Sequence, residues 1–129
     1  MARRVAFQNT AMMVQTSIST GTADNTVTSG SLIVPSDGAR IRRFGVTKVT
    51  AGTGTGTINV TLRARGGSVD LTDPITLDVD AAAPTQQAAN GNQASTGALL
   101  EGDRLDIFFD ASGTVSGAAT VLIWVEFLP

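Results

Sequence analysis

The stretch EGDRLDIFFDASG, residues 101–113, brings together four carboxylates: Glu101, Asp103, Asp106 and Asp110. Carboxylates so grouped could hold a hard divalent cation or work as a general acid and base. The residues between them argue for a different role. Leu105, Ile107 and Phe109 fall on one side of a two-residue period, and Asp106, Phe108 and Asp110 on the other, which is the pattern of a half-buried strand. On a strand, Asp106 and Asp110 stand about 13 Å apart, too far to share one ion without ligands from elsewhere. Glu101 and Asp103 flank Gly102 in a turn, where Asp caps its own backbone. No EF-hand spacing accompanies them. A structural role leads, calcium comes second and catalysis last.

The rest of the chemical inventory is thin. The chain has no His, no Cys and no Tyr. That removes the usual general base, the Ser–His pair, thiolate zinc sites and disulfides. The glycine-rich AGTGTGT, 51–57, could in principle cradle phosphate. It lacks the Lys-Ser/Thr that would open a helix behind it, so it reads as a flexible hairpin tip. We therefore expect no enzyme activity, no catalytic residue, no metal and no cofactor.

Two other features invite a binding role. Arg40, Arg42 and Arg43 form a basic cluster with Phe44 as its one aromatic neighbour. A contact with another protein subunit, plain solvated charge and nucleic acid are the three readings, in that order, because phosphate binding needs more cations than this acidic protein offers. Arg3 and Arg4 read as a tethering arm. Trp124, the one Trp, is either core or part of an oligomer contact with Leu122.

The charge is unevenly spread. Up to Arg65, eight bases face two acids, for +6; from Gly66 onward one base faces nine acids, for −8. Such halves can pair within one molecule or between copies.

The elements that would position these residues are strands. At 129 residues the chain suits one domain, and charged residues make up only 16% while Gly numbers 14, so turns are plentiful and helical stripes absent. An N-terminal arm, 1–10, precedes a single sandwich domain, 11–129. Strands are expected within 5–20 and at 31–35, 40–50, 57–65, 74–80, 98–110 and 118–129. In 40–50, Ile41 differs in parity from Phe44 and Val46, which predicts a bulge near Arg42 and Arg43. The uncharged stretch 81–97 reads as a long polar loop. The last strand is apolar on both faces and should be covered on both. The fold class is all-β: an antiparallel β-sandwich, jelly-roll-like, with about eight strands. The longest apolar run, Val121–Val125, is too short to span a membrane, and MARRVAFQNTAMM lacks a signal-peptide core.

The order SDGARIRRFGVTKVTAGTGTGTINVTLRARGG, ITLDVDAAA and EGDRLDIFFDASGTVSGAATVLIWVEF resembles small β-sandwich virion proteins of tailed phages, above all head decoration (cement) proteins. The likeness covers roughly 31–128 and is one of pattern. It implies a capsid-surface protein made in the host cytoplasm. The implied partners are further copies of itself, as a homo-oligomer that is trimeric in the family's manner, and the major capsid protein; Arg42, Arg43, Leu122 and Trp124 are then subunit or capsid contacts. It implies terminal arms that reach neighbours, with no membrane or nucleic-acid partner and no catalytic residues to transfer. The basic cluster at 40–43 departs from that pattern. Two other classes stand beside it: a lectin-like or adhesion sandwich of a fibre or cell surface, and a small hydrolase using paired acids, which the missing His and Cys disfavour.

Overall fold

The two-residue period of the sequence becomes two facing sheets. The computed structural model describes residues 12–20, 26–35, 40–67, 70–80, 85–90 and 99–128. Among the described residues the regular elements are all strands: β1 (Met12–Ser19), β2 (Thr26–Ile33), β3 (Arg40–Thr50), β4 (Thr57–Ala64), β5 (Ile75–Asp78), β6 (Thr85–Asn90), β7 (Arg104–Ser112) and β8 (Thr120–Leu128). They form two antiparallel four-stranded sheets, ordered β1-β8-β3-β6 and β2-β7-β4-β5. Among the described strands only β4 and β5 are both consecutive and neighbours within a sheet. Every other connection crosses between sheets, which is the interleaved order of a jelly roll.

The core lies between the sheets, where the alternating apolar residues meet. Phe44 and Val46 of β3 and Val121, Ile123, Val125 and Phe127 of β8 come from one sheet. Ile58, Val60 and Leu62 of β4, Ile75 and Leu77 of β5, and Leu105, Ile107 and Phe109 of β7 come from the other. Each such side chain contributes about 1.5–3 kcal/mol by leaving water, so this layer sets the register of both sheets.

The register of β3 against β8 shifts between Ile41 and Arg43. The shift exposes both Arg42 and Arg43 while Ile41 and Phe44 stay buried, as the parity change requires. From Phe44 the period runs inward through Val46 to Lys48, which is buried. Its ammonium donates a hydrogen bond to the Asp78 carbonyl on the opposite sheet, so a cation that would be costly alone is compensated.

Two expectations change. The stretch 81–97 is not loop throughout, because Thr85–Asn90 forms β6. TQQAAN shows no apolar period, and the strand exists through its backbone ladder to Arg43–Lys48 of β3. The segment 51–57 is not a hairpin tip. It crosses from one sheet to the other beside the 113–117 turn, with Thr53 bridging Gly117. Gly54 takes φ 119°, open to glycine at little cost. The amides that could have faced a phosphate are already bonded: Thr53 to Gly117 O at 3.0 Å, Gly56 to Thr114 O at 2.8 Å and Gly52 to Val79 O at 2.9 Å. The arm 1–10 and residues 91–97 lie outside the described residues.

Candidate functional site

The carboxylates that opened the question are distributed. Asp103 Oδ2 accepts the Leu100 amide at 3.0 Å, which caps its own turn. Asp106 is buried, and its Oδ2 accepts the Gly66 amide at 2.9 Å, which ties the turn after β4 to β7. Asp110 is exposed farther along β7, opposite Asn59. Among the described residues no three acids converge on a common point. The two β7 acids share the outer face of the sheet, as alternation requires, and Asp106 is the one drawn into a backbone contact.

The outer face of β1-β8-β3-β6 unites four of the residues singled out from the sequence: Arg42, Arg43, Leu122 and Trp124. Arg3 and Arg4 lie outside the described residues. On β8, Leu122, Trp124 and Glu126 alternate with the core residues, so they point away from it, and all three are half-buried. Trp124 is therefore not a core residue. Its register partner on β3 is Gly45, and the indole lies over that glycine: a methyl group there would stand 2.1 Å from Trp124 Cε2. Any larger residue would fill the seat. The Arg43 guanidinium stands 5.8 Å from the ring centroid, within cation–π reach. Glu126 pairs with Arg43 in register, yet its ion pair is with Arg42, at 3.8 Å. Glu126 Oε2 is shielded from solvent and has no hydrogen bond among the described residues, since 3.8 Å is too long for one.

The outer face of β2-β7-β4-β5 is built differently. Arg63 sits over Phe108, its guanidinium carbon 3.7 Å from the ring centroid. Arg63 Nε also donates to Asp70 Oδ1 at 2.7 Å. Thr76 Oγ1 donates to Asn59 Oδ1 at 2.6 Å beside them. Val27, opposite Phe108, is 47% exposed. Asp78 and Asp110 are exposed at the end of this face near Thr57. Sequence reasoning did not single out the Arg63–Phe108 stack, although alternation had already put Phe108 among the outward acids. It also passed over Lys48, which the inward period from Phe44 could have found. A cleft of about 370 Å3 opens where β4 ends and β7 begins, lined by Arg65, Leu99, Asp103 and Arg104. Its mixed charges and open mouth present no nucleophile–base pair.

No protein-family model and no curated protein sequence matches the chain. Solved structures do match. A chain of the acidic stable capsid structure of Helicobacter pylori bacteriophage KHP30 is similar at TM-score 0.55 and 18% identity, over 92% of this chain and 88% of that one. A chain of the cyanophage Pam1 capsid asymmetric unit is similar at TM-score 0.55 and 15% identity, over 92% and 85%. The crystal structure of FLHE is similar at TM-score 0.53 and 12% identity, over 92% and 98%. At these identities the likeness is one of fold. The chain shares an all-β sandwich, nearly end to end, with chains of phage capsids.

Proposed function

We propose that this protein is a structural component of a phage virion, a decoration (cement) protein that binds an assembled head and stabilises it as a homo-oligomer. The observation that carries the reading is the fold shared with the two phage capsid chains over 92% of this chain. The jelly roll is a recurrent architecture of capsid domains. The outward Trp124, Leu122, Arg42 and Arg43 supply a surface suited to protein contact, since Trp and Arg dominate such interfaces. The mechanism is mass action. A protein that binds the assembled lattice and not its separated subunits adds RT ln(1 + [L]/Kd) per site, about 2.7 kcal/mol at a hundredfold excess over Kd. Many copies turn a modest contact into resistance to internal pressure. No substrate turnover is assigned, and the carboxylates serve turns and strand faces.

The lectin-like reading is weaker on a specific ground. Stacking a sugar needs an open aromatic face. Trp124 rests on Gly45 beside Arg43, and Phe108 lies under Arg63. The test compares particles with and without the protein in a thermal genome-release assay. Particles lacking it should release their genome at lower temperature, and R42E/R43E protein should restore less of the difference. Equal release temperatures would overturn the cement reading.

A further inference from the structure

We infer that the outer face of β1-β8-β3-β6 is the surface that docks on the head, and that it takes an extended segment of another protein with carboxylates at one end and apolar side chains at the other. The inference rests on the cement reading and names the chemistry of the partner.

The bulge in β3 makes the charged end. Successive residues of a regular strand point to opposite faces, so Arg42 and Arg43 would otherwise be divided between solvent and core. The register shift between Ile41 and Arg43 leaves both exposed, and re-aiming a side chain is what bulges do. Arg40 is exposed beside them. Among the described residues, neither Arg42 nor Arg43 spends its donors on a hydrogen bond. Arg42 stands 3.8 Å from Glu126 Oε2, an ion pair without one. Arg43 meets the Trp124 ring, at 5.8 Å. Two neighbouring guanidinium forks are thus left for carboxylates, which such forks hold in a bidentate manner.

The apolar end is set by β8 and the far end of β3. Register places Glu126 beside Arg43, Trp124 beside Gly45 and Leu122 beside Thr47. At about 3.3 Å per residue, Leu122 lies about 13 Å along β8 from Glu126. Val49, next to inward Lys48, is 54% exposed at that same end. The face therefore passes from guanidinium to indole to aliphatic along one strand. An extended occupant matches it with acidic side chains two to four positions from apolar ones.

Two features favour a protein over a nucleic acid. Glu126 stands among the arginines as an acceptor with its shielded oxygen unbonded, and a phosphate backbone would add only further acceptors there. That backbone also carries a charge at every step, so it would run charges over Leu122 and Val49. A peptide can confine its carboxylates to one end. The outer face of β2-β7-β4-β5 lacks this order, with Arg65 and Arg104 exposed at one end and Asp78 and Asp110 at the other.

Cosedimentation of the full chain with purified heads lacking it provides the test. Far-ultraviolet circular dichroism checks folding, and electron microscopy checks that the heads stay intact. R42Q/R43Q and R65Q/R104Q remove equal charge from different sheets. The first should bind heads at least tenfold more weakly than the native chain at 0.1 M salt, and the second within twofold of it. V49S/L122S should weaken binding at least threefold without changing its salt dependence, since no charge is removed. Heads whose carboxylates are amidated with glycinamide and a carbodiimide should lose the native chain, and heads with acetylated lysines should retain it. The inference is overturned if the two arginine pairs weaken binding equally, if V49S/L122S binds like the native chain, or if amidated heads bind like untreated ones. It is also overturned if a DNA duplex competes as well as heads do, which would make the face a nucleic-acid surface. Binding without a rise in genome-release temperature overturns the cement reading and leaves the docking face standing. A native chain that does not bind heads overturns both.

Discussion

Both outer sheet faces place an arginine on an aromatic ring beside a carboxylate, but at different distances. On β2-β7-β4-β5, Arg63 is 3.7 Å from the Phe108 centroid and 2.7 Å from Asp70. On β1-β8-β3-β6, Arg43 is 5.8 Å from Trp124, and the carboxylate is 3.8 Å from a second arginine, Arg42. The first cluster satisfies itself: one guanidinium covers the ring and gives its Nε to the acid. The second divides the work between two neighbouring arginines produced by a bulge and leaves a shielded carboxylate oxygen without a hydrogen bond among the described residues. A closed network strengthens its own sheet, whereas an open one keeps donors for a partner. The charge-assisted pair at Arg63 should therefore matter to stability and the pair at Arg42 to association.

The largest effect is expected at the seat of Trp124. Gly45→Val places carbon where the indole lies, and overpacking of this kind costs about 1–3 kcal/mol. The ring should be driven outward, seen as a red shift of tryptophan emission together with a lower Tm. An unshifted emission would mean that Trp124 does not rest on Gly45.

Asp106→Ala comes next. It removes the acceptor of the Gly66 amide and should cost about 1.5 kcal/mol, the lower end for a hydrogen bond to a charged group, because exposed Gly66 can turn to water. At about 4 °C per kcal/mol for a domain of this size, thermal denaturation resolves it. Faster hydrogen exchange at Gly66 should accompany the loss.

Arg63→Ala strips the cover from Phe108 and the partner from Asp70, for about 1 kcal/mol. Arg63→Lys should recover less than half of this, because an ammonium cannot cover the ring while bonding the acid.

The smallest change in stability belongs to Arg42→Ala, under about 0.5 kcal/mol, as expected of a long, exposed ion pair. Its effect should appear instead in cosedimentation with heads, as weaker binding. A Tm change as large as that of Arg63→Ala would erase the distinction between the two faces.

Much of this architecture was legible in residue order. Ile58, Val60 and Leu62, then Ile75 and Leu77, then Leu105, Ile107 and Phe109 alternate cleanly, and burial follows the alternation except at outward Thr61 and Asp106, which are also buried. The bulge at Arg42–Arg43 was visible as a change of parity. β6 was not, because an edge strand held by backbone pairing needs no apolar period, and TQQAAN has none. Trp124 was ambiguous for a related reason: β8 is apolar at successive positions, so period alone could not tell its inner face from its outer one.

What the sequence determined by itself was local: which residues alternate, where turns fall, which side-chain chemistries are missing, and that basic and acidic residues occupy different halves. Those properties depend on neighbours in the chain. The tertiary structure alone decided which strands are adjacent. It set Gly45 beneath Trp124, Arg63 over Phe108 and Lys48 against the Asp78 carbonyl, and it shared both charged halves between the two sheets. In a jelly roll nearly every connection crosses between sheets, so cross-strand partners come from distant parts of the chain. Their pairing is set by how the two apolar faces close on each other, a property of the whole core that no short stretch contains.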